Sequence, residues 1–238
     1  MKPINWIIMP IYDCKDLTRD AIDSCLAQGI GNVRILCPID RGLDGVAHYL
    51  RSLHPLVQTI EMPGCGVSKA WNVALSHLFD ITGVDYALVA NSDTRLRPDA
   101  YRRLVSDGGL FVTCVGTSSG AKFPGGEPSG RKRPHPDFSM YLIRKECWQR
   151  VGPFDESMRI FASDGDMHLR MHRAGIDAYC LDLPFYHVAS GTLKNAEVED
   201  RERILKQAQA DRLAFFNKWG YDMGSPKYYE QFQTGAPE

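Results

Sequence analysis

Short apolar runs alternate with amphipathic stretches through the first half of the chain. Trp6-Ile7-Ile8-Met9 has the length and composition of a buried strand, and residues 33–37, 57–60, 86–90 and 111–115 repeat the pattern. Between them, Leu17, Ala21, Ile22, Cys25 and Leu26 recur at helical spacing, with Gly29 as a suitable stop. A second helix is expected over 46–53. A third opens at Gly64-Cys65-Gly66, with Val67, Ala70, Trp71, Ala74, Leu75, Leu78 and Phe79 as its apolar stripe and Ser68, Lys69, Asn72 and Ser76 on the opposite face. Pro98 and Asp99 start a fourth, with proline near the first helical position. This β-α repeat predicts an α/β fold, a mostly parallel sheet with helices on both faces, whose ligands sit at the carboxyl ends of the strands.

The pattern changes after residue 115. Residues 116–137 are rich in Gly, Pro, Ser and positive charge, including the run Arg131-Lys132-Arg133-Pro134-His135, and read as a long loop, either functional or mobile. A strand over 138–143, a helix over 145–151 stopped by Gly152, a helix over 164–174 and a strand over 178–183 follow. A polar loop over 185–192 contains His187. A long charged helix is expected over 197–219, packed through Ile204, Leu205, Ala208, Phe215, Phe216 and Trp219.

Composition narrows the function classes. With 28 basic and 29 acidic side chains the net charge is −1, so no global field draws in nucleic acid. Seven cysteines are scattered without a CxxC pair, which disfavours a zinc ribbon and suggests reduced thiols in a cytoplasmic protein. Pro10 cuts the first apolar run, which is too short for a signal peptide or a membrane span. No GxGxxG follows the first strand, and GxxxxGK[ST] does not occur.

Candidate chemistry gathers at strand ends. Asp13, Asp40, Asp44, Asn91 and Asp93 each follow an expected strand closely. Asn91-Ser92-Asp93 is open to two readings: a turn in which short polar side chains bond the backbone, or a hard-oxygen site for Mg²⁺ or Mn²⁺ bridging to substrate phosphates. In Ser163-Asp164-Gly165-Asp166, one carboxylate can cap the helix while the other faces a cleft. His187 is either structural or a metal ligand. The basic run at 131–135 is either a solvated loop or a phosphate contact.

Six segments, in order, resemble the family 2 glycosyltransferases of the GT-A fold over roughly residues 4–192. They are IIMPIYD, LCPIDRGLDG, GCGVSKAWNVAL, YALVANSDTRLRPDAYRRL, the pair VGPFDESM and FASDGDMHLRMHRAG, and YHVASGT. The resemblance implies a GT-A catalytic domain over 1–192, with a nucleotide-sugar half (1–115) and an acceptor half (116–192), and a C-terminal helix and tail (193–238) packed on it. By position, it implies that Pro10, Tyr12, Asp13, Asp40, Asp44, Lys69, Asn72, Asn91 and Ser92 contact the donor, and that Asp93 and His187 hold Mn²⁺ or Mg²⁺. Asp164 would be the general base with Asp166 close by. Phe138, Ser139 and Met140 would border the acceptor; Arg131 and Arg133 are acceptor candidates from the basic run, not from the resemblance. Asn91 stands where the D-x-D motif has its first acid, and Ser163 where the E-D motif has Glu.

The implied activity is metal-dependent, inverting transfer of a sugar from a nucleotide-diphosphate sugar to the hydroxyl of a glycan or small molecule. The basic run keeps a second acceptor in view, a hydroxymethylated base in DNA. A metal-dependent phosphohydrolase and a catalytically silent sugar-nucleotide-binding module are the remaining alternatives.

Overall fold

Alternation along the central strands sorts their side chains between two hydrophobic clusters. In β1 (Asn5–Ile8), Ile7 faces one cluster, and Trp6 and Ile8 face the other. In β5 (Tyr86–Ala90), Leu88 and Ala90 oppose Ala87 and Val89 in the same way. A sheet covered on both faces requires this, because successive side chains point to opposite sides. The computed structural model describes residues 4–12, 15–41, 45–117, 132–188 and 198–233.

The remaining strands are β2 (Ile11–Tyr12), β3 (Val33–Arg41), β4 (Val57–Glu61), β6 (Thr94–Arg95), β7 (Phe111–Thr117), β8 (Lys132–Pro134), β9 (Met140–Arg144) and β10 (Ala178–His187). They form one mixed sheet in the order β2-β3-β1-β5-β9-β7-β10-β6, with β4 also paired to β3 and β8 to β10. The β1–β3, β1–β5, β2–β3, β3–β4 and β7–β10 pairs are parallel, as the β-α repeat requires. β9 runs antiparallel between β5 and β7 and joins the two halves of the sheet.

Helices α1 (Lys15–Leu26), α2 (Val46–Leu53) and α4 (Ala100–Asp107) cover one face. The other face carries α3 (Val67–Ser76) with its π-helical continuation (His77–Thr82), α5 (Lys145–Val151) and α6 (Ser163–Arg173). A smaller cluster of Met158, Ala162, Leu169, Phe215 and Tyr228 seats α7 (Val198–Trp219) and α8 (Pro226–Glu230) against α6.

Three local expectations are corrected. β10 runs on through residues 185–187, which were expected to be a loop. Its register shifts between Leu181 and Pro184, a bulge that admits a proline into the strand. Residues 132–134, also expected to be a loop, form β8 and pair antiparallel with 179–181 of β10. The polar face assigned to α3 is half wrong, because Ser68 and Asn72 are buried while Lys69 is exposed. The loop before α6 lies over that face and uses their hydrogen-bonding groups.

Candidate functional site

The end of β5 is a turn built by its own polar groups. Asn91 N–H donates to the Ser139 carbonyl at 2.9 Å, and Thr94 donates to the Asn91 carbonyl through its amide (3.1 Å) and its hydroxyl (2.7 Å). Ser92 is buried inside this turn. The turn sends β6 back antiparallel to the end of β10, with His187 opposite Thr94. That register places His187 Nε2 3.5 Å from the Asp93 carboxylate, and Val188 N–H donates to the Asp93 carbonyl at 3.0 Å. A carboxylate and an imidazole, 12% and 22% exposed, thus meet at the sheet edge from segments almost a hundred residues apart. The Asn91 side-chain oxygen is buried and has no hydrogen-bond partner among the described residues.

Next to this corner lies a cavity of about 770 Å³. Val67 and Trp71 of α3, Asn91, and the segment from Pro136 to Ser139 form one side. Ile160, Phe161, Ala162, Ser163 and Asp164 form another, and Arg212, Phe215, Asp222 and Met223 close it from the C-terminal region. Asn91 joins the cavity to the Asp93–His187 corner. Asp164 lies in the first turn of α6, with Gly165 N–H donating to its carboxylate at 2.9 Å. Burial raises its carboxyl above the ordinary carboxylate range against that hydrogen bond, and nearby Asp137 adds to the rise. A half-buried carboxylate of raised pKa in a cleft has the character of a general base.

Asp166, the alternative base, does not line the cavity. It is fully buried and bonded to Arg170 at 2.8 Å, Lys218 at 2.7 Å and Trp219 Nε1 at 3.0 Å, so its oxygens are engaged in holding α6 to α7. Met140 does not border the cavity. It is fully buried and belongs to the cluster on the opposite face of the sheet, because its neighbours on β9 alternate sides. Phe138 and Ser139 line the cavity.

Asn72 is tied to the loop before α6. It donates to the Phe154 carbonyl (2.9 Å) and to Glu156 (3.0 Å), and accepts from Phe154 N–H (2.8 Å). Asp40, also buried, accepts from Gly66 N–H at 2.8 Å and so shapes the turn into α3. Pro10 is buried beside β2, and the Tyr12 hydroxyl accepts from Arg203 of α7. Lys69 projects from the first turn of α3. Asp13, Asp44 and Arg131 lie outside the described residues, as does the side chain of Arg133.

The turn into α3 is sterically tight. Gly66 has φ +81°, and a Cβ there would lie 2.6 Å from the Arg159 carbonyl oxygen and 2.9 Å from Arg159 Cβ. Ser68 fastens the same loop, donating through its hydroxyl to the Met158 carbonyl (2.5 Å) and through its amide to the Arg159 carbonyl (3.2 Å). Gly66→Ala is therefore expected to lower unfolding stability by about 1–3 kcal/mol. A urea midpoint equal to wild type would show that the loop yields without cost.

Sequence reasoning missed the contribution of the C-terminal region. Its signal was a polar residue on an apolar stripe: Ile204, Ala208, Asp211 and Phe215 share the buried face of α7. It also missed Asp137, which lines the cavity and accepts from Ser139 N–H at 2.9 Å.

Among the described residues, no cluster of three or more potential metal-ligating side chains occurs, and no helix is long and apolar enough to cross a membrane. Residues 6–140 match the model described as glycosyl transferase family 2. Chondroitin synthase of Pasteurella multocida (strain Pm70) is 23% identical, over 92% of this chain and 24% of that protein. The chain thus spans about a quarter of that relative's length. The uncharacterized glycosyltransferase EpsJ of Bacillus subtilis (strain 168) is 23% identical, over 92% of this chain and 72% of that protein. Among solved structures, the mannosyltransferase PcManGT of Pyrobaculum calidifontis, in complex with GDP-Man and Mn²⁺, superposes with a TM-score of 0.62. It is 16% identical and covers 99% of this chain and 80% of that one. That likeness establishes a shared fold.

Proposed function

The chain belongs to glycosyl transferase family 2, and from that premise we propose that it transfers a sugar from a nucleoside-diphosphate sugar to an acceptor hydroxyl, with Asp164 as general base. The observation that carries this reading is the cavity with Asp164 in its wall, joined through Asn91 to the Asp93–His187 corner. A relative named as a chondroitin synthase, another named as an uncharacterized glycosyltransferase, and a neighbour of the same fold named with GDP-Man and Mn²⁺ support it.

The residues at the corner suit a divalent cation. Asp93 offers a hard carboxylate oxygen and His187 an imidazole nitrogen, the ligand types that Mn²⁺ accepts. These two side chains would hold such an ion beside the donor diphosphate. When bound, the cation supplies charge neutralisation for the departing nucleoside diphosphate.

The chain's own residues supply the other steps. Trp71, Phe138 and Phe161 give the cavity an aromatic lining that suits the apolar faces of a sugar ring. The acceptor hydroxyl lies within reach of Asp164, which takes its proton as the oxygen attacks the anomeric carbon. One displacement on the face opposite the leaving group inverts the configuration. The buried Asn91 oxygen, lacking a partner among the described residues, is suited to accept from a hydroxyl of the bound sugar.

Two measurements test this reading. Titration of UDP, GDP and dTDP should show binding of at least one that strengthens with Mn²⁺, and failure of all three to bind would overturn the donor assignment. The rate should also depend on pH with a defined sign. Asp164 works only when ionised, and burial raises its pKa. Turnover is therefore lost as pH falls, at a higher pH than an ordinary aspartate would give. A kcat profile flat from neutral pH down to the ordinary aspartate range would contradict the role of Asp164.

A further inference from the structure

The loop that carries the catalytic turn is held by a buried carboxylate from the opposite end of the chain. Asp211, in the middle of α7, is fully buried. It accepts from three consecutive backbone amides, Arg159 (3.0 Å), Ile160 (2.8 Å) and Phe161 (2.8 Å), and from Gln207 Nε2 (2.7 Å). A carboxylate buried on the apolar face of a helix is costly unless its lone pairs are satisfied. Here four donors satisfy them, and hydrogen bonds to an ionised acceptor are the stronger kind.

These amides lie immediately before the strained entry to α6. Ala162 has φ +64°, a left-handed conformation uncommon for a residue with a Cβ, and Asp164 follows two residues later. Such a conformation persists only where the surroundings impose it. Two further contacts from the C-terminal region grip the same turn. A Cβ on Gly165 would lie 2.6 Å from Met223 Sδ and 3.3 Å from a Phe215 ring carbon. Lys218 and Trp219 bond Asp166.

We propose that Asp211 is a positioning residue for the transfer reaction: its clasp on the 159–161 amides sets the turn that presents Asp164 to the cavity. The C-terminal helix is thereby part of the acceptor side of the site. This inference rests on the reading of Asp164 as the base. It adds a residue that does not touch the reacting atoms and acts through the loop.

Asp211→Asn keeps the side-chain volume but sets an NH₂ group against backbone N–H donors. With rates expressed per donor-binding site, counted by nucleotide titration, kcat is expected to fall roughly 10- to 100-fold, the size of a displaced catalytic group. Donor KM should stay at its wild-type value, because Asp93 and His187 lie outside the clasp. Amide hydrogen exchange over 159–161 should accelerate in the variant. Wild-type kcat in the folded variant, or unchanged exchange over 159–161, would overturn the inference. If Asp211→Asn does not fold, Gln207→Ala decides: a smaller loss confined to kcat supports the clasp, and a wild-type kcat refutes it. If the wild-type protein transfers no sugar from any donor, the functional reading fails, while the exchange comparison still tests the clasp.

Discussion

Replacing Asp164 with Asn is expected to cut turnover by at least ~10²-fold, the scale of losing a general base, while leaving donor binding intact. The substitution keeps the shape and the oxygen that accepts from Gly165 N–H, so the turn into α6 has no reason to move. It removes only the basicity. Asp166 is fully buried and bonded to Arg170, Lys218 and Trp219, and Asp137 holds the Ser139 amide. Single-turnover rates and nucleotide titration, measured on the same preparation, separate the two effects. A variant that turns over at the wild-type rate would remove Asp164 from the mechanism, and one that loses nucleotide binding would show that it shapes the donor site instead.

Replacing Asp93 with Ala is expected to weaken Mn²⁺ and nucleoside diphosphate together, by at least about 10-fold, because losing even an outer-shell partner of a metal costs 10–100-fold in affinity. The coupling is the informative part. If Asp93 and His187 hold the cation as proposed, the diphosphate would share it, and each ligand would raise the affinity for the other. His187→Ala should act in the same direction. Calorimetric titration of the nucleotide with and without Mn²⁺ reads this directly. Unchanged nucleotide affinity in Asp93→Ala would place the cation, or the diphosphate, elsewhere.

The sequence carried the scaffold well because the sheet is covered on both faces. Its strands must then read as apolar runs and its helices as one-sided stripes, and the α3 stripe from Ala70 to Phe79 is buried as expected. The ordered motifs also singled out Asp93 and His187, which the fold brings together, and Asp164, which lines the cavity. What they could not convey was which polar groups are satisfied within the chain. Asn72 and Asp166 match family positions, yet their hydrogen bonds go to Phe154, Glu156, Arg170, Lys218 and Trp219. Those partners are brought close by folding, not by spacing along the chain. Met140 was misassigned by a single step on β9, where each residue faces the opposite side from its neighbour. The role of α7 stayed hidden because its link to Asp164 runs through one carboxylate and the amides of a loop some fifty residues earlier. Backbone donors leave no mark in a sequence, although a carboxylate on an apolar helical stripe is a cue that such donors exist.

The central claim is transfer from a nucleoside-diphosphate sugar with Asp164 as the base. Its most direct test is release of nucleoside diphosphate from a panel of UDP-, GDP- and dTDP-sugars, with Mn²⁺ and saccharide acceptors, in wild-type protein and in Asp164→Asn. We expect at least one donor to be consumed, with release that depends on Mn²⁺, increases with acceptor and collapses in the variant. No release from any donor, or release undiminished in Asp164→Asn, would contradict it.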